Sequence, residues 1–221
     1  MLAIPIHRIV RTAAAAILPA LLMSAAPQAV DCVAAHVNRR AITLTDIRIL
    51  KAFRLGEGVS PRGTVPAPAE VLQAAIDRQV VVDIMRESFP VPREELDARL
   101  AALKARFEPD AWQSLLAEFG ITETGIASYL EDILQFERMV AIRFGQQPEL
   151  TVQELQDYYD REYVPAQRSA GREPKPMSQV LSEIEQQLRD RKREEQISAW
   201  IKGLRNEAEI RIHPECLENL K

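Results

Sequence analysis

One short strand near the end of the chain constrains the fold more than any other feature. In EAEIRIHPEC, residues 207–216, Ala208, Ile210 and Ile212 alternate with polar side chains until Pro214 stops the run. That period of two is the mark of a half-buried strand. A strand cannot stand alone, because its backbone N–H and C=O groups need partners. The remaining strand candidates lie about 170 residues earlier, in CVAAHVNRRAITLTD. There Val33–Val37 and Ala41–Leu44 flank Asn38-Arg39-Arg40, which reads as a tight turn between two strands. The two ends are therefore expected to meet in one small sheet. Antiparallel pairing brings Cys32 and Cys216 to the same end of it; parallel pairing separates the sulfurs beyond bonding reach. In an oxidising compartment an even pair of cysteines reads as one disulfide. A bond closing so long a loop stabilises by about 5 kcal/mol in the chain-entropy picture.

Between the ends the chain reads as helices. Glycine is scarce, 8 in 221 residues, and the sequence is rich in side chains that lose little rotamer freedom in a helix. Thr43 or Thr45 can cap a helix running to about Leu55, and residues 56–68 read as a Gly- and Pro-containing loop. Residues 68–89 are apolar nearly all round, which predicts a central, buried helix. Residues 91–107 carry a stripe at Leu96, Leu100, Leu103 and Phe107, and 109–120 begin with Pro and end with Gly. Residues 122–145 place Ile126, Tyr129, Leu130, Ile133, Val140 and Phe144 on one face, which Glu137 interrupts. Thr151 and Glu154 have capping-box spacing at the start of 151–163. From Met177 to about Asn206 runs one long candidate helix with apolar clusters at its ends and the wholly polar RDRKREEQ between them. On a helical wheel the clusters point to nearly opposite sides. Such a helix packs each end against a different part of the protein; two helices with a break would show the same pattern.

Residues 1–29 carry Arg8 and Arg11, no acid, a short apolar stretch over 12–26, and small residues at Ser24, Ala25, Ala26 and Ala29. That is the pattern of a secretory signal peptide cut after Ala26 or Ala29; an uncleaved anchor is the alternative, and the only route to a membrane. Asp31 is a poor neighbour for a lipidated Cys32. Removing residues 1–29 moves the net charge from −4 to −6, which argues against nucleic acid as a partner.

No catalytic constellation is present: no GxGxxG, P-loop or GxSxG motif occurs. His36 and His213, near the two cysteines, could suggest zinc, but the close CxxC or HxxxH spacing is missing, so a disulfide with two bystander histidines is expected and no cofactor.

Taken in order, VAAHVNRRAITLTDI, VLQAAIDRQVVVDIM and FGITETGIASYLEDIL resemble the N-terminal region of the SurA-type periplasmic chaperones. TVQELQDYYDREY and ISAWIKGLRNEAEIRI resemble the segments that flank the parvulin isomerase domain in that family. The resemblance spans about residues 32–213; each motif is weak, and their order carries it. It implies a mainly α chaperone domain over 30–221, with a small antiparallel sheet joining the N-terminal hairpin to the C-terminal strand. Relatives carry a parvulin domain of about a hundred residues where this chain has only VPAQRSAGREPKP, residues 164–176, a connection too short to hold it. The expected function is that of an exported holdase without isomerase activity. It would bind unfolded envelope or outer-membrane proteins through an apolar cradle drawn from Met85, Phe89, Phe107, Trp112, Phe119, Phe136 and Met139. The alternatives are an adaptor subunit for one specific envelope partner and a residual prolyl isomerase.

Overall fold

The computed structural model describes residues 31–55, 66–85 and 90–220. The expected signal peptide, most of the 56–68 loop and Phe89 lie outside the described residues, as does the side chain of Met85. From Asp31 onward the chain clusters as one unit. Among the described residues it is mainly helical, with one three-stranded sheet.

The sheet is formed by β1 (Val33–Val37), β2 (Arg40–Thr43) and β3 (Ile210–Ile212), in the order β2-β1-β3 with both pairings antiparallel. Ala35 faces Ile212 and Val37 faces Ile210, so the chain ends meet as the lone-strand argument requires. Cys32 and Cys216 are bonded at the end of this pairing, their Cα atoms 5.8 Å apart. The turn into β2 is made at Asn38, whose φ of 53° lies in the left-handed region that Asn tolerates. Asn38 also ties three elements together. Its Nδ2 donates to Asp83 at 2.9 Å, its Oδ1 accepts from the Glu209 amide at 3.0 Å, and its own amide donates to the Glu209 carbonyl at 2.8 Å.

Thr43 ends β2 and caps α1 (Leu44–Ala52): its hydroxyl accepts from the Asp46 amide while the Asp46 carboxylate accepts from the Thr43 amide at 2.7 Å. Helix α2 (Pro68–Met85) packs on α1, on both N-terminal strands, on α5 (Glu123–Phe144) and on α8 (Met177–Glu207), which is why it is apolar nearly all round. Helices α3 (Arg93–Lys104) and α4 (Pro109–Phe119) complete this body, and Gly120, at φ 59°, closes α4 in the left-handed conformation that favours glycine. Glu137 interrupts the α5 stripe because it faces α3, where Arg99 meets it at 2.6 Å.

Helix α8 is continuous over 31 residues, about 46 Å at 1.5 Å per residue. Its two apolar clusters separate as expected. Ile197, Trp200, Ile201 and Leu204 join the main core, and Arg205 pins that half to Asp77 of α2 at 2.5 Å. Val180, Ile184 and Leu188 form a second, smaller core with Leu150, Leu155, Tyr158, Tyr159 and Tyr163.

That smaller core corrects the expected hinge over 164–176. Helix α6 (Val152–Tyr158) passes through a π turn at Tyr159–Tyr163 directly into α7 (Val164–Ser169), so only about residues 170–176 remain as loop. The physical reason is Pro165, which has no N–H and crowds the preceding turn. The π turn, in which the Val164 amide donates to the Tyr159 carbonyl, widens the ladder just before the proline and lets the helix continue.

Lys192 from the polar middle of α8 reaches back to this core, donating to Glu154 at 2.6 Å and to the Glu149 carbonyl at 2.9 Å. The bond from Lys192, with those from Thr151, holds the Glu154 carboxyl down to about 2. A depressed carboxyl contributes stability that is complete above its unfolded value of about 4.3 and is lost as pH falls through the folded one. The stability curves of the wild type and Glu154→Gln are therefore expected to differ at neutral pH and to converge between about pH 5 and pH 2. Urea unfolding at stepped pH measures this, and parallel curves would refute it.

Candidate functional site

Of the residues expected to line an apolar cradle, the structure buries or half-buries every one whose side chain it describes. Trp112 is fully buried and Met139 is 3% exposed, so neither offers a surface to a client. Phe107, Trp112 and Phe119 wrap around Phe53, whose ring lies 5.3 Å from Trp112, edge to face. These aromatic residues are the packing between α1 and the α3–α4 pair. Met139 is corrected for a related reason. Helix α5 touches α2, α3 and α8, and so buries a wider arc than a single stripe, with Leu134, Gln135 and Met139 inside it. Phe136 is half-buried against the same core. Large apolar side chains that do reach solvent, Ile84, Ile142, Val152 and Ile212, come from four different elements.

Among the described residues, a concavity lies elsewhere, along β2. It is a cleft of about 430 Å³ bounded by Arg40, Ala41 and Ile42 of β2, by Asp46 and Leu50 of α1, by Ala75, Arg78 and Gln79 of α2, and by Ile121, Gly125, Ser128, Tyr129 and Asp132 on the other side. β2 is an edge strand, paired with β1 on one side only, and three of its residues line the cleft. A Cβ at Gly125 would sit 2.5 Å from Cγ1 of Ile121, which forms part of the wall and would have to shift.

The polar groups in the cleft are mostly tied. Arg40 Nη1 donates to Asp132 at 3.2 Å and to Gln79 Oε1 at 3.4 Å, and Gln79 in turn donates to Asp83. The Tyr129 hydroxyl donates to Asp46, the same carboxylate that caps α1. Burial, and then the bond to Asp46, push the Tyr129 hydroxyl far above its ordinary value, so it acts as a fixed donor. Burial lowers the Arg78 guanidinium, opposed by the nearby charges of Asp132 and Glu137. Arginine nonetheless stays cationic at neutral pH.

Chemically, the cleft offers apolar walls, hydrogen-bond donors and residues of an edge strand, which together suit a bound extended chain. The cysteine–histidine corner takes a different role: both sulfurs are used in the disulfide, and the His36 and His213 rings lie edge to face at 5.8 Å. Among the described residues no group of three or more His, Cys, Asp or Glu is placed to hold a metal ion, and no helix is long and apolar enough to cross a membrane.

Sequence reasoning passed over the cleft, yet α2 carried a signal. Asp77, Arg78 and Gln79 fall between the apolar Ala74–Ile76 and Val80–Val82, and polar side chains on a buried helix need a partner or a purpose. In comparisons with known proteins, no family model matches this chain and no curated protein matches it.

Proposed function

We propose that this protein is an exported holdase that binds unfolded segments of envelope or outer-membrane proteins without isomerising their prolines. The observation that supports this best is the cleft lined by the edge strand β2, where an extended segment can add to the strand and place side chains against apolar walls. The order of elements resembles the chaperone core of the SurA type, and the loop of about seven residues left after α7 is far too short for an isomerase domain. The seat of binding is thus smaller and more polar than an aromatic cradle.

That same difference favours a second reading. A cleft of this size with fixed polar groups, and exposed apolar side chains scattered over four elements, also suit an adaptor that holds one specific envelope partner. Aggregation of an unfolded outer-membrane protein, followed by light scattering, separates the two. A holdase suppresses it at a few-fold molar excess; an adaptor leaves it unchanged and instead gives one stoichiometric complex on pull-down. Acceleration of a proline-limited refolding reaction would overturn both in favour of an isomerase.

A further inference from the structure

The cleft holds two arginines, Arg40 and Arg78, and Arg40 is fixed by direct hydrogen bonds. Asp132 is engaged by Arg40, Glu137 by Arg99, and Asp77 by Arg205. Asp46 accepts from Tyr129 and from the amide and hydroxyl of Thr43. Arg78, on α2 between these groups, lines the cleft; the charges of Asp132 and Glu137 act on it, but among the described residues no hydrogen bond or ion pair at bonding distance fixes it. A guanidinium carries five N–H donors in a rigid fork, and Arg78 is half-buried in the wall of the cleft. Its fork matches a carboxylate, which it binds through two parallel hydrogen bonds. The remaining features set what kind of carboxylate. The edge strand β2, which lines the cleft through Ala41, suits extended backbone, and Ile42, Leu50 and Ala75 make an apolar wall for a neighbouring side chain.

We infer that Arg78 is a specificity-determining residue that captures a carboxylate of a bound extended peptide, either an acidic side chain or the chain terminus. This deepens the proposed function and rests on the reading of the cleft as a polypeptide site. It makes the protein selective for client segments in which an acidic group sits within an otherwise apolar, strand-forming stretch. Arg40 donates to the Asp132 carboxylate at 3.2 Å, and the Asp132 charge also acts on Arg78, so an incoming carboxylate competes with Asp132 for the Arg78 fork. Ser128, an exposed residue of α5, also lines the cleft, and its hydroxyl donates to the Thr124 carbonyl at 3.4 Å.

The test is fluorescence anisotropy with labelled short peptides of alternating valine and serine: one with a central glutamate and an amidated end, one with glutamine there and a free carboxyl end, and one with glutamine and an amidated end. The first two arms distinguish the side chain from the terminus as the source of the carboxylate. At least one acidic peptide is expected to bind the wild type roughly tenfold to a hundredfold tighter than the neutral one. Arg78→Gln should abolish that preference, and Arg78→Lys should restore part of it, since it keeps the charge and loses the fork. Equal binding of all three peptides by the wild type, or a preference that survives in Arg78→Gln, overturns the inference and leaves the holdase proposal standing. Failure of every peptide to bind overturns both. Circular dichroism checks that the variants fold, and the three-peptide comparison on the wild type decides the matter alone if Arg78→Gln does not.

Discussion

Reducing the Cys32–Cys216 disulfide is expected to lower the stability of this protein by up to about 5 kcal/mol, the loop-closure figure for a bond spanning 184 residues. The effect is large because the bond closes nearly every described element into one loop, so it restricts the unfolded chain far more than a local bridge does. In the folded state it sits where β1 and β3 already pair, and breaking it leaves the strand hydrogen bonds available. The native fold should therefore persist after reduction, with a lower urea midpoint and an unchanged far-ultraviolet spectrum. Urea titration with and without dithiothreitol, and of the Cys32→Ser/Cys216→Ser double variant, measures this. Identical midpoints would show that the bond contributes nothing to stability.

Replacing Trp112 by alanine should cost about 3–5 kcal/mol, the range for truncating a large buried aromatic residue. Trp112 is fully buried, packs against Phe53 and Phe107, and donates from Nε1 to Glu123 at 2.9 Å. Truncation opens a void between α1 and α4 and leaves the Glu123 carboxylate with one donor fewer. The same experiment tests the correction made above. A tryptophan that gripped clients would be replaceable without loss of stability but at a cost in binding; a core tryptophan gives the reverse. Thermal unfolding of Trp112→Ala, with peptide binding on whatever folded fraction remains, separates the two.

What could be read from the residues alone was mostly what hydrogen bonding and periodicity enforce. A solitary strand needs a partner, and that need brought β3 to the N-terminal strands; the two cysteines meet because the pairing is antiparallel, which the lone strand did not decide. The opposed clusters on α8 showed that its ends join different cores, because a helix has a fixed angular step. What stayed hidden was which apolar side chains face water. Phe107, Trp112 and Phe119 have the same spacing whether they line a groove or surround Phe53, and Phe53 itself sits at the end of α1 with nothing local to announce its role. Met139 looked peripheral because a single-stripe reading ignores a second and third neighbour for α5. The course of the chain through Pro165 was equally hidden, since a proline usually ends a helix and the π turn that accommodates it has no plain sequence signature. The cleft was missed because its groups come from β2, α1, α2 and α5, and only the fold brings Arg40 beside Asp132.

The charged midsection of α8 behaves as a ruler. Each residue along a helix advances it by about 1.5 Å and turns it by about 100°. Deleting a single residue between Leu188 and Ile197 would swing one greasy patch well away from its socket while the other stayed seated. Substitutions there should be absorbed easily, whereas a change of even one residue in its length should not.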